Sequence, residues 1–258
     1  MTWTGRSLVT VAIGVLLLPI VGLVLGTGPG ELLAAAGEPS TWQALGVSLG
    51  TSAVAMVAVV AMGLPAAWHL SRSPSETQSV WLTAAELPIV LPPAVLGVAL
   101  LETFGRSGWL GPGLGAVGIH IPFTAAAVVL AQVLVAGPLF LLTATTAFTA
   151  VRDDHLLVAR TLGASPVRAW VSVALPIAAP GLASAMGLAW ARALAEFGAT
   201  LLFAGNLPGT TQTLPLAIYG ALERDVGQAR ALSVGMLGIA VIVLVGVRLT
   251  VRRRHDRV

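Results

Sequence analysis

The chain contains no cysteine and no lysine, and charged residues make up only 10% of its 258 residues. Without cysteine it can form no disulfide, no thiol nucleophile and no thiolate metal site. Soluble domains carry roughly 25% charged residues, so the shortage of charge excludes an ordinary water-soluble protein. Hydrophobic residues account for 56% of the chain, and the mean hydropathy is +0.91. These values predict an integral membrane protein.

The chain also lacks the sequence motifs of an enzyme. No Gly-rich phosphate-binding loop that ends in Lys-Ser or Lys-Thr occurs, so we expect no ATP hydrolysis by this chain. No His-Glu-x-x-His occurs, and His120 and His155 have no partners at metal-ligand spacing. Inside the apolar runs the acidic residues are Glu86 and Glu196, which argues against a membrane-embedded enzyme. We therefore predict no catalytic, cofactor or metal site in this chain.

Six apolar runs approach the length that crosses a bilayer, which takes about 20 residues of helix. They predict an all-α, polytopic membrane protein with six transmembrane helices in a single domain over residues 1–258. The fourth and fifth runs exceed one crossing, so those helices should tilt or extend beyond the bilayer. The proline pair Pro92-Pro93 and the single prolines Pro138, Pro176 and Pro180 should bend or break their helices. The six runs are Leu8–Leu25, Leu45–Leu70, Val80–Leu101, Phe123–Val151, Val171–Phe203 and Ala231–Thr250.

Arginine is distributed unevenly between the two sides of these spans. With the N-terminus inside, ten of the fourteen arginines fall on the cytoplasmic side, as the positive-inside rule requires. Both termini and the 151–170 segment are therefore predicted to be cytoplasmic, in a multi-pass protein of the bacterial inner membrane. A cleaved signal peptide is the alternative for the first run, which exceeds the usual apolar region of about 7–15 residues. The cytoplasmic arginines are Arg6, Arg72, Arg152, Arg160, Arg168, Arg248, Arg252, Arg253, Arg254 and Arg257.

The polar segment Val151–Trp170 interrupts the apolar pattern on the cytoplasmic side. Apolar residues recur in it at helical spacing from Leu156 onward, and Gly163 is typical of a helix end. Asp153 or Asp154 is the predicted N-cap. Such a helix either docks on a cytoplasmic protein or lies on the lipid surface with its arginines toward anionic headgroups.

The spacing of this segment resembles the cytoplasmic motif of ABC importer permeases, which reads Glu-Ala-Ala-x-x-x-Gly and, nine residues later, Ile-x-Leu-Pro. Ala159, Gly163 and the pair Leu175-Pro176 match it. Leu157 stands where the motif has Glu, so an ion pair from that position cannot form, although the aspartates one turn earlier could substitute. The resemblance implies docking in a groove of a separate ATPase subunit, which binds the ATP and Mg²⁺. The implied docking residues are Asp154, Leu157, Ala159, Arg160, Gly163, Ala164, Pro166, Leu175 and Pro176.

A second block, Trp190–Tyr219, resembles the molybdate/tungstate permeases. Sulfate permeases share its Arg…Glu-Phe-Gly-Ala core but usually differ after it. Leu87–Gly97 and Phe123–Gln132 fit too, so the resemblance covers residues 45–250. It implies a type I ABC importer permease fold and the membrane-spanning subunit of a binding-protein-dependent importer, moving molybdate or tungstate into the cytoplasm by ATP-driven alternating access. The alternatives are a sulfate or thiosulfate permease and an ion-coupled secondary transporter.

The same resemblance implies the partners of this chain. Six spans supply half of a transport path, so two copies are expected to form a homodimer with the path on its twofold axis. Two cytoplasmic ATPase subunits, one extracytoplasmic binding protein, the oxyanion substrate and membrane lipid complete the assembly. The net charge of +3 is explained by membrane topology, and nucleic acid is not an expected partner.

Two opposite charges lie inside the fifth apolar run. Arg192 and Glu196 are four residues apart, so they either form a structural pair on one helical face or leave Arg192 to meet the oxyanion. Glu196 would repel a dianion and is not expected to be a direct ligand. Neutral donors suit a transit path, because strong binding would trap the ion. The candidate path or gate residues are Arg192, Glu196, Phe197, Gly198 and Thr200, and the neutral donors are Thr200, Asn206, Thr210, Thr211, Gln212 and Thr213.

Overall fold

The computed structural model describes residues 3–255, and all regular secondary structure in this range is helical. Side chains are described for residues 7–247 and for residue 249, so the predicted position of the C-terminal arginines lies outside the described side chains. The helices are α1 Trp3–Gly26, α2 Pro29–Gly37, α3 Pro39–Ser71, α4 Ser75–Val90, α5 Pro93–Phe104, α6 Gly111–Ala116, α7 Ala125–Thr149, α8 Asp153–Thr161, α9 Pro166–Ala169, α10 Leu175–Leu194, α11 Gly198–Ala204, α12 Leu214–Leu222 and α13 Val226–His255, with a π-helical turn at Trp170–Ala174.

The described helices include five candidate membrane spans, and a bent helix pair is a candidate sixth. Five stretches are long and apolar enough to cross a membrane by themselves, and α4 with α5 makes a sixth crossing only as a pair bent by 105°. This confirms the predicted all-α membrane fold, with five spans or, if the bent pair is one crossing, the predicted six. The unbent stretches are Ser7–Gly26, Pro39–Ser71, Ala125–Thr149, Pro166–Leu194 and Val226–Val247.

The bend between α4 and α5 is the break that the proline pair predicts. Leu91 and Pro92 have extended backbone (ψ 137° and 138°), and Pro93 begins α5, where its missing N–H is not needed. By contrast, α7 continues through Pro138 and α10 through Pro180. Those two prolines do not separate helices, because packing against neighbours holds each helix together despite one lost hydrogen bond.

Helix α7 lies at the centre of the bundle and packs along α3 and α10. Phe140 and Phe148 on α7 are almost fully buried among small residues of the neighbouring helices. Gly63 of α3 makes room for one of these rings, since a Cβ there would lie 2.6 Å from Phe140. Helix α1 is different: none of its most apolar window is buried, and it contacts α13.

The bundle has two chemically distinct ends. At one, called the α2 end, an ion pair between Arg230 and Glu31 joins the start of α13 to α2 at 2.5 Å. The Arg230 guanidinium also donates to the carbonyl oxygen of Gly26 at the end of α1. At the opposite, α8 end, α3 finishes beside α8 through an ion pair between Arg72 and Asp153. The two candidate sites lie toward different ends of this bundle.

Candidate docking segment and transport path

Helix α8 begins directly after the extended residue Arg152. Arg152, not an aspartate, is the N-cap, so the predicted cap is wrong: Asp153 and Asp154 both lie inside the first turn. Their side chains bind arginines instead, Asp153 with Arg72 at 2.5 Å and Asp154 with Arg152 at 2.6 Å. Negative charge in the first turn still favours the helix, because the N-terminus of the helix dipole is positive.

Helix α8 and its C-cap residue expose three aliphatic side chains among polar and charged ones. Leu156 turns inward and packs against the core cluster around Phe148. Leu157, Val158 and Leu162 point outward, with 64%, 57% and 83% of their surface exposed. Three exposed aliphatic side chains close together on one short segment are suited to burial against a partner. The geometry is suited to docking on another protein or on lipid.

Gly163 ends α8 as the sequence predicts. Its φ of +87° is in the left-handed region, which favours glycine. The N–H of Gly163 donates to the carbonyl of Arg160, and the N–H of Ala164 to that of Ala159, both at 3.0 Å, which forms a Schellman motif. Ser165 then caps α9 by accepting from the N–H of Arg168. The segment is thus two short helices joined by a tight turn.

The remaining predicted docking residues divide between surface and interior. Leu175 packs against the core cluster at the start of α10, beside the exposed Pro176. The π-helical turn precedes Pro176 and rearranges the backbone where its ring would clash with a carbonyl. On the segment itself the exposed members are Asp154, Leu157, Arg160, Gly163 and Pro166, and the half-buried members are Ala159 and Ala164.

The fifth apolar run is not one helix, which corrects the prediction for Val171–Phe203. Helix α10 ends at Leu194 and α11 starts at Gly198, so Arg192 and Glu196 do not share a helical face. They nevertheless form an ion pair at 3.0 Å between Nη1 and Oε2. The other carboxylate oxygen of Glu196 accepts from the N–H of Ala199 at 2.8 Å. One buried carboxylate therefore connects the end of α10 to the start of α11.

Helix α11 packs on α5, so the two broken spans meet. A Cβ on Gly97 of α5 would lie 2.8 Å from the Cβ of Leu202 and 3.2 Å from the carbonyl oxygen of Ala199. Phe197, in the break before α11, stacks at an angle on Tyr219 with 5.3 Å between ring centroids. The candidate gate residues from 196 to 200 thus surround a junction of α5, α10, α11 and α12.

Three of the six predicted neutral donors, Asn206, Thr211 and Gln212, already form hydrogen bonds within the described part of the chain. Thr211 bonds the backbone of its own loop, and Gln212 donates to Asn206. Thr200 and Thr213 are buried, and their hydroxyl oxygens have no hydrogen-bond partner among the described residues. Sequence reasoning missed two further unpartnered polar groups on α7, the acceptor Gln132 Oε1 and the hydroxyl Thr145 Oγ1. The sequence could have indicated both residues, because each is a polar residue within a long apolar run.

Comparison with known proteins identifies a family and a set of relatives. The family described as "Binding-protein-dependent transport system inner membrane component" matches residues 60–256. The "Molybdenum transport system permease protein ModB" of Mycobacterium tuberculosis is 42% identical over 230 residues, covering 89% of this chain and 87% of the relative. The ModB of Escherichia coli K12 is 35% identical over 204 residues, covering 79% of this chain and 89% of the relative.

A solved structure shares the fold. A chain in the crystal structure of a bacterial alginate ABC transporter, in complex with an alginate pentasaccharide-bound periplasmic protein, is similar with a TM-score of 0.73. The match covers 95% of this chain and 91% of that chain at 15% identity. Identity this low carries the fold alone, and it agrees with the expected type I importer permease architecture. With the apolar helices, the family match indicates a multi-pass inner membrane protein.

Proposed function

The chain belongs to the family of the binding-protein-dependent transport system inner membrane components, and we propose that it is the permease subunit of a molybdate importer. The observation that carries this proposal is the 42% identity to a molybdenum permease over 89% of the chain. Tungstate is a second substrate of the same tetrahedral shape and charge. Nothing in the structure or the comparisons favours the sulfate alternative.

The exposed apolar surface of α8 supports docking of a cytoplasmic ATPase. Leu157, Val158 and Leu162 present three aliphatic side chains within two turns of helix. An ATPase groove that covers them would remove their apolar surface from water, which is favourable by roughly 25 cal/mol per Å². In this proposal the partner binds ATP and Mg²⁺ and hydrolyses the nucleotide, and α8 follows its movement. The permease itself is not an enzyme.

The orientation follows from the distribution of arginine. Arg72, Arg152, Arg160 and Arg168 lie at the α8 end, which we place in the cytoplasm together with both termini. The α2 end then faces the periplasm, where α2, α12 and the loops at 26–44, 103–121 and 204–230 form the surface for a binding protein. The alginate transporter in complex with its periplasmic protein supports a binding-protein partner at that end.

We place the gate at the junction around α11. Glu196 has a structural role here, because its two oxygens hold Arg192 and the N-terminus of α11. Arg192 remains one-third exposed, so its other guanidinium N–H groups can meet an oxyanion transiently. The unpartnered hydroxyl of Thr200 is a neutral donor close to this junction. Two copies around a twofold axis would supply two such junctions to one path.

Transport in a defined system tests this function. The permease, its ATPase and the binding protein are reconstituted into proteoliposomes, and uptake of molybdate is measured with ATP and with the non-hydrolysable analogue. We expect uptake only with ATP and binding protein, and competition by tungstate but not by sulfate. Uptake that is driven by a proton or sodium gradient without ATP would instead establish an ion-coupled carrier. Competition by sulfate at equal concentration would instead favour a sulfate or thiosulfate permease.

A further inference from the structure

Arg72 joins three elements at the α8 end. It is the C-cap residue of α3, and its Nη1 forms the 2.5 Å ion pair with Asp153 of α8. Its Nη2 donates to the carbonyl oxygens of Phe148 in the last turn of α7, at 3.3 Å, and of Val151 in the link to α8, at 2.9 Å. The guanidinium also lies over the ring of Trp68, 4.7 Å from the centroid.

The contacts of Arg72 that contribute most to this junction are the buried ones. Asp153 is 84% exposed, so its ion pair with Arg72 is screened by solvent and contributes little to stability. The carbonyl bonds and the cation–π contact are better protected, because the Arg72 side chain is only 25% exposed. Trp68 in turn packs edge-on against Phe148 and Trp170, with centroids 5.3 Å and 6.5 Å away. Elements on both sides of α8 are thus held against the end of α3.

The other end of α3 binds the elements around the proposed gate. Ser48 Oγ accepts from the N–H of Leu214 at the start of α12, at 2.7 Å. Ser52 Oγ accepts from the indole N–H of Trp190 at 3.0 Å, two residues before Arg192 on α10. Helix α3 continues through Pro65 for 33 residues, so Arg72 and Ser48 are about 36 Å apart along its axis. A single continuous helix therefore contacts both candidate sites.

We propose that Arg72 couples α8 to α3, and that α3 carries the movement of a docked ATPase to the α10–α12 junction. Arg72 is a positioning residue in this scheme and touches neither nucleotide nor oxyanion. The inference rests on the proposed function, since it requires an ATPase bound at α8. If Arg72 only caps α3, its loss lowers stability but leaves the ATP cost of each transported ion unchanged. The number of ATP molecules hydrolysed per transported ion therefore distinguishes a coupling role of Arg72 from a purely capping role.

The test compares Arg72→Gln with Arg152→Gln in the reconstituted importer. Arg152 is the matched control, because it pairs with Asp154 on the same segment while both side chains are at least 70% exposed. We expect Arg72→Gln to retain the ATPase and its hydrolysis while the ATP consumed per molybdate rises about tenfold. In Arg152→Gln the ATP consumed per molybdate should stay within about twofold of the native value. If Arg72→Gln inserts into the membrane and consumes as much ATP per molybdate as the native protein, the proposal is wrong.

A second pair of variants decides the question if Arg72→Gln does not accumulate. Arg72→Lys keeps a cation but loses the fork that binds two carbonyls and a carboxylate, so its ratio should rise by about threefold or more. Ser48→Ala breaks the contact at the far end of α3 and should also raise the ratio. A static cap at Arg72 predicts no effect of Ser48→Ala, so native coupling in Ser48→Ala overturns the inference.

Failure of this inference and failure of the proposed function give different results. If α8 does not bind an ATPase, substitutions of its exposed leucines leave ATPase copurification unchanged and the native complex shows no ATP-driven uptake. If only the coupling role is wrong, the native complex transports, the α8 surface variants lose the ATPase, and all Arg72 and Ser48 variants keep the native ratio.

Discussion

Gly198 lies directly against Pro93, so the two breaks in the membrane spans touch. A Cβ on the glycine would come within 2.6 Å of the Cβ of the proline, closer than real side-chain contacts allow. Pro93 begins α5 and Gly198 begins α11, and the two helices pack together from this point. The absence of a side chain at residue 198 is therefore what lets one half-helix lie on the other.

Substitution of Gly198 should destabilise the protein through this contact. Gly198→Val forces α11 away from α5 and should lower the free energy of unfolding by about 1–3 kcal/mol, as overpacking does. The measurement is the thermal midpoint of the purified protein in detergent. Gly137→Ala is the control, because that helical glycine has no heavy atom within 4 Å of its Cβ position. Equal midpoints for the two variants would contradict the close approach.

Arg192 and Glu196 should behave as a coupled pair. Loss of either partner leaves a charge or a donor unsatisfied in a mostly buried site and should cost about 1–3 kcal/mol. The double variant Arg192→Gln with Glu196→Gln should be milder than the sum, because it leaves no unpaired charge. A double-mutant cycle on folded yield in detergent measures this. Strictly additive losses would argue against the pair and favour an Arg192 that faces the substrate.

Gly163→Leu should uncouple ATP hydrolysis from uptake while the protein remains in the membrane. A leucine at φ +87° strains the Schellman turn by about 1–2 kcal/mol and adds bulk where the ATPase groove is proposed. Gly118→Leu is a matched control, since Gly118 also has a positive φ of +78° and open space around it but lies far from α8 in the chain. Normal transport by Gly163→Leu would exclude docking at this turn.

The exposed aliphatic residues Leu157 and Val158 of α8 should contribute to ATPase binding. Leu157→Ser with Val158→Ser removes two of the exposed aliphatic side chains of the segment without touching the core, so the ATPase should copurify at least about tenfold less. Leu207→Ser changes an exposed leucine outside the docking segment and should leave copurification unchanged. If the double serine variant retains the ATPase but loses affinity for anionic vesicles, the segment binds lipid instead.

Crosslinking tests the homodimer in this cysteine-free chain. Single cysteines at Leu201 and Leu202 on α11 are the best positions, because Thr200 and Phe203 are buried while Leu202 is 40% exposed. A homodimer with its path on the twofold axis should bring at least one of these cysteines close to its copy. Absence of any crosslink along 196–203, together with a requirement for a second permease, would exclude the homodimer.

The sequence by itself determined the class of the protein and the number of spans. Scarce charge and six long apolar runs leave no alternative to helical crossings, because backbone groups in lipid must be satisfied within the helix. The break at Pro92-Pro93 was also predictable, since proline removes a donor and restricts the preceding residue. The turn at Gly163 followed for a similar local reason, as a left-handed residue favours glycine.

Only the tertiary structure decided what joins these elements. The break between α10 and α11 contains no proline, and it exists because Glu196 can satisfy both Arg192 and the N–H of Ala199 while α11 packs on α5. Arg72 meets Asp153 across 81 residues of chain, a contact that no periodicity encodes. Local sequence sets helix propensity and hydropathy over a few turns. Ion pairs and close glycine contacts depend on which distant helices become neighbours, and packing alone determines that.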